Sequence, residues 1–430
     1  MRVKHPAKEL GKKIVVVLGG GFGGLNTAKQ LANETDVFVI LIDQRNHHLF
    51  QPLLYQVATA GLNPGDIAVP IRSQFAHARN VEVHWGEVTG VDLREQVIKQ
   101  SGSEAEIEYD YLVLACGAQH SYFGHPEWEE FAPGLKTLEQ AIEIRRRILS
   151  AFENAENELD SEKQKALLNI VVVGGGPTGV ELAGAIADIS RTVLVHDFRR
   201  IDPSQARIIL VEMTPRLLAS FAEELSEKTR QDLTDLGVEV RTSTRVEDIN
   251  AEGVQVGSDF IPSKSVFWAA GVQAAKMQIE PSVEMDRAGR IKVKSDLSVP
   301  GHENVFVIGD MASFEVRPGN FVPGLAPAAM QEGRHAAKVI LSSIRGQERT
   351  AFRYVDKGQM ATIGKYRAVM ESGRLKMTGR IAWMAWLLVH VFYLIGFKNR
   401  VAVMVQWAWS YLFSKRGARL ITERQWKLKN

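Results

Sequence analysis

The fold of this 430-residue chain is decided by a short stretch near its start, IVVVLGGGFGG at residues 14–24. Five apolar residues predict a buried strand, and Gly19, Gly21 and Gly24 follow it with the spacing G-x-G-x-x-G. The first glycine of such a motif permits a tight turn, the second lets the backbone approach a pyrophosphate, and the third lets a helix pack closely on the strand. Because free N–H groups at the start of that helix attract anions, the stretch predicts a dinucleotide site.

The same pattern occurs a second time, as NIVVVGGGPTG at residues 169–179. Here Gly174, Gly176 and Gly179 take the three glycine positions. A single motif of this kind is a weak signal. Two copies about one domain length apart predict two dinucleotides in one protein, and that arrangement predicts electron transfer between them.

Each glycine motif is followed by a second apolar run that ends in an acidic residue. The run at 37–42 ends in Asp43, 19 residues after the last glycine of its motif, and the run at 208–211 ends in Glu212, 33 residues after its own. A carboxylate at this position accepts hydrogen bonds from ribose hydroxyls, although a solvated strand end is the alternative. The longer second spacing predicts an insertion around 191–206. Glu212 would repel a 2′-phosphate, which favours NAD over NADP.

The single cysteine, Cys116, excludes several kinds of redox and metal site. A flavoenzyme that uses a disulfide needs two thiols, or one placed to form a sulfenic acid or a mixed disulfide. Zinc and iron–sulfur centres need several ligands. We therefore expect no metal, and a structural role for Cys116 at the end of the apolar run 111–115. No EF-hand loop is present, so calcium control is not indicated. Residues 1–13 are short and basic and lack an apolar secretory core, so a cytoplasmic body is expected.

The last 57 residues differ in charge from the rest of the chain. Residues 374–430 hold 11 lysines and arginines and one acid, a net charge of +10, whereas residues 1–373 carry −8. The run 381–397 is uncharged and would span ~25 Å as a helix, and a second apolar run covers 401–409. The pattern favours a monotopic hairpin in one leaflet, with a buried helix and dimer contact or a short transmembrane helix at 381–397 as alternatives. Tryptophans expected at the lipid interface are Trp383, Trp386, Trp407 and Trp409.

Apolar runs alternating with helical spacing predict an α/β fold with two Rossmann-like dinucleotide-binding domains. Residues 135–165 have helical spacing. The run 304–308, which is followed by Gly309 and Asp310, suits the sheet of the first domain. The first domain is therefore predicted to be split by the second and followed by a C-terminal helical membrane-associating region. The predicted bounds are 1–125 and 295–345 for the first domain, 126–294 for the second and 346–430 for the C-terminal region.

Together these motifs resemble the type II NADH dehydrogenases (NADH:quinone oxidoreductases), a family of flavoproteins with two dinucleotide-binding domains, over nearly the whole chain. Besides the glycine motifs, the resemblance rests on DQRNHHLFQPLLY at 43–55 and on LVLACGA at 112–118, where Cys116 replaces a threonine. It implies FAD in the first domain and NADH, as substrate, in the second. The cofactor contacts implied in this way are Gly19, Gly21, Phe22, Gly23, Gly24, Asp43, Val88, Ala115, Gly117, Gly174, Gly176, Gly179, Glu212, Ala270, Gly271, Gly309 and Asp310.

The family's quinone motif, A-Q-x-A-x-Q-x-G, is present as a variant. The run APAAMQEG at 326–333 keeps its second glutamine as Gln331 and has Pro327 in place of the first. The resemblance implies that Gln331 positions the flavin or the quinone. It places Glu181 near the flavin, as a candidate for proton supply or ring positioning, and a buried first-turn glutamate is the alternative.

The implied function is non-proton-pumping NADH:quinone oxidoreduction, with a hydride passing from NADH to FAD and two electrons then passing to a membrane quinone. That quinone would be ubiquinone, menaquinone or plastoquinone. The expected partners are the lipid bilayer surface at the cytoplasmic face of the cell membrane and a second copy of the chain in a homodimer, with no nucleic acid. The alternative is an FAD- and NADH-dependent reductase of a protein electron carrier, similar to ferredoxin reductases or apoptosis-inducing-factor-like proteins. A sulfide:quinone oxidoreductase is disfavoured because one cysteine cannot form its redox pair.

Overall fold

The computed structural model describes residues 2, 3, 5–413 and 417–421. Ten strands form two sheets that carry the glycine motifs. In chain order they are β1 (Lys13–Leu18), β2 (Val37–Asp43), β3 (Val81–Trp85), β4 (Tyr111–Leu114), β5 (Asn169–Val173), β6 (Arg207–Val211), β7 (Val238–Arg241), β8 (Ser265–Trp268), β9 (Ser298–Val299) and β10 (His302–Val307).

Six helices matter most for the argument. They are α1 (Phe22–Leu31), α2 (Leu138–Asn157), α3 (Pro177–Asp188), α4 (Ala326–Ile344), α5 (Gly379–Tyr393) and α6 (Phe397–Phe413). Other α-helical segments are Leu54–Ala58, Pro64–Ile67, Trp128–Phe131, Ser161–Leu168 and Glu223–Asp235; 3₁₀ turns occur at Pro6–Lys8, Gln51–Leu53, Arg72–Phe75, Pro203–Gln205 and Gly309–Met311, and a π-turn at Ile189–Val193.

The first glycine motif lies in a six-stranded sheet with the strand order β9-β10-β4-β1-β2-β3. All neighbours in this sheet are parallel except the pair β9 and β10. The apolar residues of β1 are fully buried because the strand is central and both faces of a parallel sheet are covered. β10 pairs with β4, so the predicted place of the run 304–308 in the first sheet is confirmed.

The second glycine motif lies in a four-stranded parallel sheet with the order β7-β6-β5-β8. The connection from α3 to β6 contains the π-turn and the 3₁₀ turn, which confirms the predicted insertion between helix and strand. The predicted helix at 135–165 consists of α2 and a separate helix, Ser161–Leu168. The break occurs because Asp160 caps the second helix, accepting hydrogen bonds from the backbone of residues 162 and 163.

The chain forms two compact units. Unit 1 comprises residues 1–48, 69–119 and 272–357, and unit 2 comprises 49–68, 120–271 and 358–430. The unit boundary at 271 precedes the sequence-based domain boundary at 294, because the strand Gln278–Glu280 pairs with Val88–Asp92 in a five-stranded sheet of unit 1. By contacts, residues 358–413 cluster with unit 2. The functional assignment of these parts stays a prediction.

The C-terminal part of unit 2 begins with a three-stranded antiparallel sheet, Gln359–Gly364, Arg367–Ser372 and Leu375–Thr378, followed by α5 and α6. The apolar run 381–397 is not one helix, because α5 ends at Tyr393 and α6 begins at Phe397. In the part of the chain that the structure describes, no helix has the length and hydrophobicity that a bilayer crossing requires. The end of the predicted basic tail, at 422–430, lies outside the described residues.

The expectation that four tryptophans lie at a lipid interface is wrong for three of them. Trp383, Trp386 and Trp407 are buried, Trp386 to 1 % exposure, and only Trp409 is largely exposed, at 56 %. The rings of Trp386 and Trp407 lie 5.7 Å apart, and Trp407 Nε1 donates a hydrogen bond to Gln56 Oε1 at 2.7 Å. The inner faces of the two helices are therefore part of the core of unit 2.

Candidate active site

The first glycine loop leaves space where a pyrophosphate would lie. Gly19 has φ +102°, and a Cβ on it would lie 2.4 Å from the Ala115 carbonyl oxygen; a Cβ on Gly24 would lie 1.8 Å from the Gly19 oxygen. Both must therefore be glycine for the fold itself. Gly21 differs, because no atom lies within 4 Å of the position of its Cβ, and it begins α1 without a capping side chain. An open, uncapped helix start fits a bound phosphate.

The second loop repeats this geometry. Gly174 has φ +111° and its Cβ would lie 2.7 Å from the Ala270 nitrogen, while a Cβ on Gly179 would lie 1.8 Å from the Gly174 oxygen. Gly176 again has open space within 4 Å and begins α3 without a side-chain cap. Gly271 follows at the same edge of the sheet with φ +68°. The residues present therefore fit a dinucleotide at each loop.

The two predicted ribose-binding acids are held beside their loops. Asp43 accepts a hydrogen bond from the Gly20 N–H at 2.6 Å, and Glu212 accepts one from the Gly175 N–H at 2.5 Å. Each also accepts one from the amide two residues further along, at 2.6 and 2.7 Å respectively. Burial raises the pKa of Asp43, an effect that these backbone bonds oppose. Each acid thus stands at the carboxyl end of the strand next to its glycine motif, where a dinucleotide's ribose would meet it.

His48 is a buried residue near the first loop to which the sequence analysis gave no role. Its Nδ1 is 2.9 Å from the Gly20 carbonyl oxygen, and its ring packs edge-on against Phe22 at 5.0 Å. Burial lowers the pKa of His48 to about 4, so the ring is neutral at physiological pH. Its Nε2 is buried and has no hydrogen-bond partner among the described residues. An unpaired polar atom beside the glycine loop is a further feature that fits a ligand. The feature of the sequence that could have identified His48 is its position five residues after Asp43.

Gly309 and Asp310 lie in the 3₁₀ turn Gly309–Met311, which begins two residues after the end of β10. The Gly309 N–H donates to Glu332 Oε2 at 2.5 Å. Burial raises the pKa of Glu332 to about 8, and the nearby charge of Asp310 adds to the effect. Glu332, on α4, is thus a second residue that the sequence analysis missed, although it lies inside the quoted run APAAMQEG.

Both the NH₂ group and the oxygen of the Gln331 side chain form hydrogen bonds with backbone groups. Its Nε2 donates to the carbonyl oxygens of Pro327 and Val355, both at 3.0 Å, and its Oε1 accepts from the Val355 N–H at 3.1 Å. Pro327 lies in the first turn of α4, where the lack of an N–H is tolerated. Gln331 therefore fastens the start of α4 to the segment around Val355.

The other residues named in the sequence analysis for the first site lie in the segment 115–117 and in the strand Val88–Asp92. Ala115 places its carbonyl against Gly19, and Gly117 has φ +72° with open space around it. Cys116 donates its thiol to the Leu18 carbonyl at 3.6 Å, and burial raises the pKa of the thiol to about 12. A thiol that stays protonated suits the expected structural role. Val88 begins the strand Val88–Asp92 and packs on the core of unit 1.

Glu181 lies on α3 and borders a cavity of about 60 Å³ within unit 2. Burial raises its pKa to about 8; the Thr362 N–H, 3.4 Å from Oε1, and the Trp386 indole lower it only in part. Glu181 is therefore mostly protonated at neutral pH. Polar neighbours in the cavity wall include Gln56 and Lys365.

Comparison with known proteins places this site in a family. The family model described as pyridine nucleotide-disulphide oxidoreductase matches residues 13–333, and the one described as NDH2 C-terminal domain matches residues 357–416. The type II NADH:quinone oxidoreductase Ndh of Mycobacterium tuberculosis is 43% identical over 425 residues, which cover 96% of this chain and 90% of that protein. The chain belongs to the type II NADH:quinone oxidoreductase family.

A second relative and a solved structure are also similar to this chain. The type II NADH:quinone oxidoreductase of Staphylococcus haemolyticus is 32% identical over 83% of this chain and 89% of its own length. The structure of NDH2 from Plasmodium falciparum in complex with NADH superimposes with a TM-score of 0.87, covering 95% of this chain and 99% of that one at 21% identity. That structural match shows that the two chains share a fold.

Proposed function

We propose that the protein is an NADH:quinone oxidoreductase in which bound FAD accepts a hydride from NADH and passes two electrons to a membrane quinone. The observation that carries the proposal is the pair of open glycine loops, Gly21 and Gly176, each with an acid bonded to it. Two such loops suit two dinucleotides, and membership of the type II family supports quinone as the acceptor.

The residues of unit 1 would hold FAD. The start of α1 and the Gly21 backbone would take its pyrophosphate, and Asp43 a ribose. Asp310 would accept a hydrogen bond from the ribityl chain. The unpaired His48 Nε2 adds a polar group near the same loop.

The residues of unit 2 would hold NADH, with its pyrophosphate at Gly176 and its adenosine ribose at Glu212. A fixed carboxylate at Glu212 repels a 2′-phosphate, which supports NADH rather than NADPH as the electron donor.

Glu181 would supply a proton to the quinone, whose reduction consumes two. A carboxyl group with pKa about 8 carries a proton at neutral pH and can release it to a developing base. Gln331 would act differently, by positioning the start of α4 through its bonds to Val355.

The outer faces of α5 and α6 support docking on a lipid surface. Both helices have an apolar stripe whose members are more than half exposed. These residues are Ile381, Met384, Leu388, Phe392, Phe397, Val405, Trp409 and Leu412. Arg380 and Lys398 are exposed, adjoin stripe residues in the sequence and suit anionic headgroups. A peripheral attachment through these stripes, on the cytoplasmic face, would place the protein where a lipophilic quinone dissolves.

Steady-state kinetics of purified protein would test the function. We expect flavin absorbance in the isolated protein and rapid NADH oxidation on addition of a quinone. A reductase of a protein carrier would instead ignore quinone and require a soluble iron–sulfur or haem protein. NADH oxidation that is independent of quinone would overturn the proposal.

Substitution on the exposed stripe would test the lipid surface. Truncating the tail is a poor test, because it would remove the buried Trp386 and open the core of unit 2. Leu388→Glu changes an exposed stripe residue, and Gln231→Glu adds the same charge on an exposed helix elsewhere. In flotation with anionic liposomes, Leu388→Glu should bind more weakly and Gln231→Glu should bind like the parent protein. Equal binding of all three would refute docking through this stripe.

A further inference from the structure

Phe123 is an aromatic residue with two unusual properties. Its ring is 61 % exposed, and its backbone has φ +52°, in the left-handed region that bulky residues rarely adopt. A single exposed apolar side chain needs no special explanation. An exposed ring on a residue with a positive φ does need an explanation. Such backbone conformations persist only where the surrounding structure enforces them, and they cluster at functional sites.

The surroundings that hold Phe123 belong to the second glycine site. The Ser121 N–H donates to the Gly271 carbonyl at 3.2 Å, and Trp268 Nε1 donates to the Ser121 carbonyl at 3.0 Å. The Phe123 ring lies over Gly271, since a Cβ on that glycine would be 2.6 Å from Phe123 Cζ. Its edge packs against the buried Trp268, with ring centroids 6.1 Å apart. The ring is therefore fixed in place next to Gly271.

The strand order shows which half of a dinucleotide would reach this ring. Glu212 follows β6, Gly174 follows β5 and Gly271 lies just beyond β8, and these strands are parallel neighbours in the order β6-β5-β8. Their carboxyl ends therefore share one edge of the sheet. With the adenosine ribose at Glu212 and the pyrophosphate at the glycine loop, the nicotinamide half extends toward β8.

We infer that Phe123 contacts the nicotinamide ring of NADH and sets the affinity of the enzyme for NADH. This inference rests on the proposed function. The planar nicotinamide ring offers a flat partner that an aromatic ring contacts by offset or edge-on packing. The rigid attachment to Gly271 lowers the entropic cost of forming that contact.

The test compares ligands that differ only in the nicotinamide. The full-length protein with bound FAD would be assayed for NADH oxidation with ferricyanide as acceptor, and ADP-ribose would be used as a competitive inhibitor that lacks the nicotinamide. Phe123→Ala should raise the KM for NADH about tenfold, the size of one lost aromatic contact, and change the inhibition constant of ADP-ribose less than about twofold. Phe260→Ala, which removes another exposed phenylalanine of unit 2, should change neither.

Two further variants keep the test decisive if Phe123→Ala fails to fold. Phe123→Tyr should retain the parent KM for NADH, whereas Phe123→Leu should raise it. An unchanged KM in the Ala or Leu variant would overturn the inference. A parallel loss of ADP-ribose affinity would also overturn it, because Phe123 would then only support the Gly271 loop. Failure of the proposed function is a separate outcome, since the parent protein would then fail to oxidise NADH with a quinone as acceptor, whatever the Phe123 variants do to the KM measured with ferricyanide.

Discussion

Glu212→Gln is the substitution that most directly probes how the second site chooses its dinucleotide. The carboxylate accepts two backbone hydrogen bonds, from Gly175 at 2.5 Å and Thr214 at 2.7 Å. Glutamine offers one carbonyl oxygen, so one of the two amides would face an NH₂ donor. Losing a hydrogen bond to a charged group costs about 1.5–3 kcal/mol. This cost corresponds to a roughly 10- to 150-fold decrease in the equilibrium constant for the ordered loop. That loss applies equally to NADH and NADPH.

The loss of charge acts only on NADPH. For unit charges about 5 Å apart at an effective dielectric constant of about 20, the repulsion is about 3 kcal/mol, or about two orders of magnitude in affinity. We therefore expect Glu212→Gln to lower kcat/KM for NADH while the preference for NADH over NADPH shrinks by up to about 100-fold. Glu239→Gln is the control, because Glu239 lies on β7 and pairs with Arg207 and Arg241.

The assay is kcat/KM for both nucleotides with ferricyanide as acceptor, for the parent and the two variants. Glu239→Gln should leave the NADH:NADPH ratio unchanged. If the ratio is also unchanged in Glu212→Gln while activity with both nucleotides falls, the carboxylate only orders the loop. The assignment of Glu212 to the ribose would then be refuted.

Three further predictions concern the other groups of the site. Asp310→Ala should yield folded protein with a low ratio of flavin to protein absorbance, because a ribityl hydroxyl loses its charged acceptor; full flavin content would contradict its assignment. Gly24→Ala should fail to fold, since its Cβ would lie 1.8 Å from the Gly19 oxygen, whereas Gly21→Ala should fold and bind FAD weakly. Soluble expression and flavin content distinguish the two variants. A stable Gly24→Ala protein would contradict the prediction, because the loop would then have moved to accommodate the methyl group. Glu181 has a folded-state pKa raised to about 8, so its contribution to stability is complete below its unfolded pKa near 4.5 and is lost as the pH rises through about 8. Glu181→Gln should therefore raise the melting temperature relative to the parent more at pH 9 than at pH 5, and an equal difference at both pH values would contradict the raised pKa.

The glycine motifs were predictable because their constraints are local. A turn with φ above +100° at Gly19 and Gly174, and a helix packed within contact of the strand at Gly24 and Gly179, exclude a side chain whatever the rest of the chain does. The fixed spacing of such a unit is visible in the sequence alone. The acid at the end of the next strand follows from the same βαβ geometry.

The two units and the C-terminal helices were decided by tertiary packing. In α5 both the buried residues Trp383 and Trp386 and the exposed residues Met384 and Leu388 are apolar, so hydrophobicity does not indicate which face is inside. His390, the most polar residue of this stretch, is on the buried side, where its Nδ1 bonds to the Trp386 carbonyl at 2.7 Å. Only the packing of α5 and α6 within unit 2 assigns these faces.

Glu212 and Glu332 also differ in whether the sequence or only the structure reveals them. The sequence alone located Glu212, because a strand end beside a glycine motif is a local position. Glu332 was found only in the structure, because its bond to Gly309 joins residues 23 positions apart in sequence. Its raised pKa, like that of Glu181, arises from burial by segments that are distant along the chain. Local sterics thus determined where the two glycine loops and Glu212 lie, and the tertiary structure determined which buried carboxyl groups have a raised pKa, because desolvation depends on every segment packed around a group.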